Sequence, residues 1–204
     1  MSVEVFVEGG GKGKALQIRC REGFRSFFEK AGLRGRMPRV IACGSRGSAY
    51  DRFRTAVSAL DAGQFIVLLV VSETAYSAKT GRWHHLRHAS GDNWERPENS
   101  QEENLHFMAQ CMESWFLADR KALARFFGDG YNEHAIPERD IEQINKGDVF
   151  DFLDRATRSS SKGRYSKSDH SYPLLGELDP ALVAEHAPCA QALIETLKAR
   201  TITA

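Results

Sequence analysis

The sequence is short of several features, and each shortage removes a class of protein. Its longest apolar run, Phe65-Ile66-Val67-Leu68-Leu69-Val70-Val71, falls well below the roughly 20 residues needed to cross a bilayer. No membrane span is expected. No basic stretch precedes an apolar run near the start, where Glu4 and Glu8 stand instead, so a secretory signal is not expected and a cytoplasmic location is. Charge of one sign is also lacking: 28 Lys and Arg face 27 Asp and Glu, a formal net charge of +1. The whole surface is therefore not that of a nucleic-acid coat, and any phosphate-binding surface must be local. The four cysteines, Cys20, Cys43, Cys111 and Cys189, show no C-x-x-C spacing and read as buried free thiols rather than zinc ligands or disulfides. Internal repeats and low-complexity tracts are absent.

What is present fits one α/β domain. Val3 to Val7 is a β-branched alternation that stops at Glu8 and three glycines, a strand ending in a tight loop. Leu16, Ile18, Phe24, Phe27 and Phe28 give a helical face from Ala15 to Lys30, weakened by Gly23. A second strand is expected at Arg39–Cys43, a second helix at Tyr50–Ala62, and a third strand at Phe65–Val71 that is buried on both faces. Strand, helix, strand, helix, strand implies right-handed crossovers and a parallel sheet. Ligands of such sheets gather beyond the carboxyl ends of the strands, which is where Glu8 and Ser72-Glu73 fall.

From Thr74 to Asn104 the chain is polar and reads as a long loop. A fourth strand is expected at Leu105–Cys111 and a helix at Met112–Phe127, with Asp119 on its solvent side. Weaker helical patterns follow at Asp140–Ile144 and Val149–Leu153, and a last helix at Pro188–Arg200. A core over residues 1–130, with a helical and basic-loop extension over 131–204 packed on it as one compact domain, is the expected organisation.

Two segments offer phosphate binding. Gly9, Gly10, Gly11, Lys12, Gly13 and Lys14 combine backbone freedom with charge, so amides and ammonium groups could cradle an anion. The alternative is a plain turn. A Walker motif fails because Ala15 stands where a hydroxyl residue would hold Mg²⁺. The second segment, Lys162-Gly-Arg164-Tyr165-Ser-Lys167 with His170, could clamp a phosphate backbone, or be only a surface loop. Glu8 and Glu73 could hold a divalent cation through hard oxygen ligands, and Glu113 is a carboxylate among apolar neighbours. His84, His85 and His88 lack a carboxylate or Cys partner at zinc spacing. Gly44-Ser45-Arg46-Gly47 is not a nucleophile elbow.

The Val7-Glu8-Gly9 start, the central strand running into Glu73, the Cys111–Asp119 segment and the Lys162–Lys167 loop resemble the bacterial family catalogued as domain of unknown function 4276, over nearly the whole chain. That family is similar to the Toprim domains of topoisomerases, primases and overcoming-lysogenization-defect nucleases. The resemblance implies a Toprim-like, Rossmann-like mostly parallel sheet and phosphodiester chemistry with Mg²⁺ or Mn²⁺. Glu8 matches the Toprim glutamate, the proposed general acid or base, and Glu73 the second acid of the Asp-x-Asp pair. Val71 stands at the first acid, a departure that opens the alternative of an inactive module binding nucleic acid or a partner. Glu113 would be a third carboxylate and metal ligand. The resemblance further implies an effector of anti-phage defence, with an ABC- or AAA-type ATPase encoded nearby as partner.

Overall fold

A computed structural model describes residues 2–88 and 91–201. Four parallel strands form one sheet in the order β2-β1-β3-β4. They are β1 (Ser2–Val7), β2 (Arg39–Ala42), β3 (Gln64–Val71) and β4 (Leu105–Met108). Eight α-helices accompany them among the described residues: α1 (Lys14–Phe28), α2 (Arg46–Ser58), α3 (Arg82–His88), α4 (Arg120–Phe127), α5 (Lys146–Thr157), α6 (Lys167–Glu177), α7 (Pro180–His186) and α8 (Pro188–Thr201). The fold is thus α/β and Rossmann-like, with a helical C-terminal stretch. None of the described helices is long and apolar enough to cross a membrane.

Strand pleating divides the core in two, because successive side chains point to opposite faces. Val3, Val5 and Val7 of β1 pack with Cys20, Phe24 and Phe27 of α1 and with the C-terminal helices. Phe6 packs on the other face with Tyr50 and Phe53 of α2 and Trp83 of α3. Residues Phe65–Val71 of β3 are all buried, as the unbroken apolar run implied. The four cysteines are free and buried.

Four expectations are corrected. The strand expected to reach Cys111 stops at Met108, and the single helix expected over Met112–Phe127 is two. A tight 3-10 helix covers Met112–Ala118, and α4 restarts at Arg120 because Asp119 caps it, accepting from the Ala122 N–H at 2.9 Å. Its other oxygen accepts from the Asp179 N–H at 2.9 Å. Asp119 is therefore a buried N-cap tying α4 to α7, not a solvent-facing residue. The Thr74–Asn104 stretch is not only loop: it contains α3, anchored where the Trp83 indole donates to Gln101 O at 3.0 Å.

Helices α6 and α7 had no counterpart in the sequence reading. Pro173 lies inside α6, and a proline there argues against a helix when read from sequence. Gly23 makes the crossing of α6 over α1 possible: a Cβ on it would sit 2.6 Å from Tyr172 O. The glycine that weakens α1 in isolation is what lets α6 approach. That approach brings the Tyr172 side chain to the turn after β1.

Candidate functional site at the carboxyl ends of the strands

Glu8 extends β1 by one residue, its N–H donating to Leu69 O at 2.9 Å. Alternation sends it to the Phe6 side of the sheet, toward α2. There its carboxylate accepts from the Val71 N–H at 3.0 Å and pairs with Arg46 at 3.4 Å. Arg46, the first residue of α2, also donates to Val71 O and, through Nε, to Asp92 at 2.7 Å. Burial raises the Glu8 pKa above its ordinary value; the Val71 amide and Arg46 oppose this, and the negative charge of Glu73 adds to it.

Glu73 stands just beyond β3 with φ at +61°, a left-handed conformation that is uncommon for a residue other than glycine. Such backbone strain gathers at functional sites, where the surrounding structure must hold it. Its carboxylate lies 3.3 Å from the Lys146 ammonium at the start of α5. Glu8 and Glu73 are thus two half-buried carboxylates at the ends of adjacent parallel strands, each with its own cation.

Glu113 lies elsewhere. It is fully buried in the 3-10 helix after β4, accepting from the Tyr165 hydroxyl at 3.2 Å and pairing with Lys167 at 3.3 Å. Its neighbours Phe116 and Tyr165 belong to the α1-side core, the face opposite to the one Glu8 turns toward. Among the described residues no three His, Cys, Asp or Glu side chains group as metal ligands. Glu113 thus has its own partners, Tyr165 and Lys167, distinct from the cations beside Glu8 and Glu73.

Two amides of the glycine segment are taken up within the protein. Gly9 and Gly44 exchange both backbone hydrogen bonds, at 3.0 and 2.7 Å. The Gly10 N–H donates to the Tyr172 hydroxyl at 2.5 Å. A Cβ at Gly9, where φ is +152°, would meet that hydroxyl at 2.8 Å. Gly9 and Gly10 serve a close approach of backbone to Tyr172, and their amides are bonded to Gly44 and to the Tyr172 hydroxyl. Lys12 and Lys14 remain exposed beside this turn.

The basic loop is likewise engaged by the fold. Lys162 sits 3.6 Å above the Phe126 ring, Arg164 pairs with Asp154 at 3.2 Å, and Lys167 pairs with Glu113. His170 accepts from the Ser166 N–H at 3.1 Å and packs against Phe127 and Tyr165; burial lowers its pKa. Burial also pushes the Cys20 thiol up to about 12 and the Cys111 thiol to about 11, which leaves neither as a thiolate nucleophile. His85 is buried with a ring nitrogen 3.2 Å from Ser72 O.

Arg46 and Asp92 were not singled out from the sequence. One signal was available: a cation in the first turn of a helix opposes the helix dipole and calls for a counter-charge. The partners, however, stand 38 and 46 residues away.

The fold and site together define a Rossmann-like α/β domain with a carboxylate, guanidinium and ammonium cluster at the carboxyl ends of its central strands. The chain belongs to the family described as Domain of unknown function (DUF4276), whose model matches residues 7–198. No curated protein and no solved structure matches it.

Proposed function

We propose that the protein is a divalent-cation-dependent phosphodiesterase acting on nucleic acid, with Glu8 and Glu73 as the ion-holding pair. One observation carries this reading: two half-buried carboxylates stand beyond the carboxyl ends of the adjacent parallel strands β1 and β3, where ligands of such sheets gather and where like charges repel. A cation between them would relieve that repulsion. The donor set suits Mg²⁺ or Mn²⁺, since Mg²⁺ is usually held by one or two carboxylates plus waters and substrate phosphates. Such an ion, when bound, supplies Lewis acidity and a more acidic water. Burial raises the Glu8 pKa above its ordinary value, a shift in the direction that favours proton transfer by a carboxyl group. Lys146 is placed to neutralise phosphate charge, and the exposed Lys12 and Lys14 to extend the contact along a strand. A cytoplasmic location, and the ABC- or AAA-type ATPase partner and defence role implied by the family resemblance, belong to this same proposal.

A second reading, a non-catalytic module that binds nucleic acid or an ATPase, is favoured by Val71 at the first acidic position. It is also favoured by the ion pairs that Glu8, Glu73 and Glu113 already make. Cleavage of mixed single- and double-stranded oligonucleotides with Mn²⁺ or Mg²⁺ separates the two. The first reading expects cleavage, lost by about a hundredfold or more in Glu8→Gln and Glu73→Gln, the scale of a general acid–base or ligand loss. Equal cutting by Glu8→Gln would sink it. Binding without any cleavage, with or without an ATPase, would favour the second.

A further inference from the structure

We propose that Arg46 is the phosphoryl-binding residue of this site, and that Asp92 occupies its place until a phosphodiester anion displaces it. The inference rests on the reading of the cleft as a nucleic-acid phosphate site.

The hydrogen-bonding pattern of the guanidinium is half complete. Nη1 is anchored on the protein, donating to Val71 O and facing Glu8 at 3.4 Å. The opposite edge is the side-on fork made by Nε and Nη2. Asp92 takes only one tine of it, through Nε at 2.7 Å, while the buried Nη2 has no partner among the described residues. An arginine offers five N–H donors in fixed directions, and a buried donor left unmade is costly. Two phosphoryl oxygens match this fork in a bidentate way, where a single carboxylate oxygen does not.

The group is also rigidly placed. Its side chain is only 14% exposed, and the ring of Trp94 lies 5.3 Å from the guanidinium carbon. Trp94 in turn stacks on Tyr50 with ring centroids 4.4 Å apart. Anchoring of Nη1 at Val71 and Glu8 aims the unfilled fork from the carboxylate pair toward Asp92, which lies in an irregular segment with 23% of its side chain exposed. An anion arriving there exchanges one ion pair for another and satisfies the donor that Asp92 leaves open.

The test is binding of a fluorescein-labelled single-stranded oligonucleotide, followed by anisotropy in EDTA so that hydrolysis plays no part. Asp92→Asn removes the competing charge and keeps its shape; binding should tighten about threefold to fivefold, the scale of one partly exposed ion pair. Arg46→Met should weaken binding by about tenfold or more, and Arg46→Lys should fall between, because an ammonium keeps the charge and loses the fork. Competition by inorganic phosphate separates the sources: displacement at low millimolar concentration would mark a site for free phosphate, and resistance to it a site for the polymer. Unchanged or weaker binding by Asp92→Asn would overturn the proposal, and that variant decides alone if the Arg46 variants do not fold. Tighter binding by Asp92→Asn without any cleavage by the native chain would leave the inference standing and remove the hydrolytic reading. Metal-dependent cleavage with no Asp92 effect on binding would do the reverse.

Discussion

Replacing Glu8 by glutamine should make the protein more stable at neutral pH, and the gain should vanish in acid. The folded-state pKa of Glu8 is raised above its ordinary 4.5, burial being the largest cause. A raised carboxyl means that the fold disfavours the ionised form. Its contribution to stability is therefore fully present below pH 4.5 and is lost as pH rises through the folded pKa, after which it is flat. Glutamine resembles the protonated acid in shape and can still accept from the Val71 N–H. Against this stands loss of the Arg46–Glu8 pair, 3.4 Å apart and partly exposed, worth about 0.2–1 kcal/mol. Single relieved strains of this kind commonly return about 0.5–2 kcal/mol. The expected balance is a gain on the order of 1 kcal/mol, or about 2–4 °C in Tm for a chain of this size. Urea unfolding of both proteins at pH 4.5 and pH 8 gives the difference directly. A variant less stable than the native chain at pH 8, or a difference that does not change with pH, would refute the reasoning.

Two further outcomes are expected. Asp119→Ala removes acceptors for the Ala122 and Asp179 N–H groups at once, and should cost about 1–2 kcal/mol in urea unfolding. Lys167→Met strips the cation from the fully buried Glu113 and should cost about 2 kcal/mol, below the usual range for a buried pair because the lysine head is exposed; adding Glu113→Gln should recover most of the loss.

The strand ends were legible in the sequence because β-branched runs and glycine turns mark them locally, and so Glu8 and Glu73 could be named before the fold was seen. Parallel pairing followed from the helices between the strands. Glu113 was a different matter. Its burial could be read from Trp115 and Phe116 beside it, but the sheet face it joins depends on how α6 packs, and α6 was hidden by Pro173. The same missing helix concealed Tyr172, whose hydroxyl takes up the Gly10 amide. Asp119 could have been read as a cap, since Arg120-Lys121-Ala122-Leu123 after it are good helix formers. Arg46 and Asp92 meet only through tertiary structure, across a segment with no periodicity to locate it.

Mn²⁺ binding followed by electron paramagnetic resonance tests the central claim most directly, because it reads the Glu8 and Glu73 pair without assuming a substrate. The native chain should bind one Mn²⁺, with affinity lost in Glu8→Gln and in Glu73→Gln and retained in Glu113→Gln. Binding that survives both of the first two substitutions, or that depends on Glu113 instead, would contradict the account.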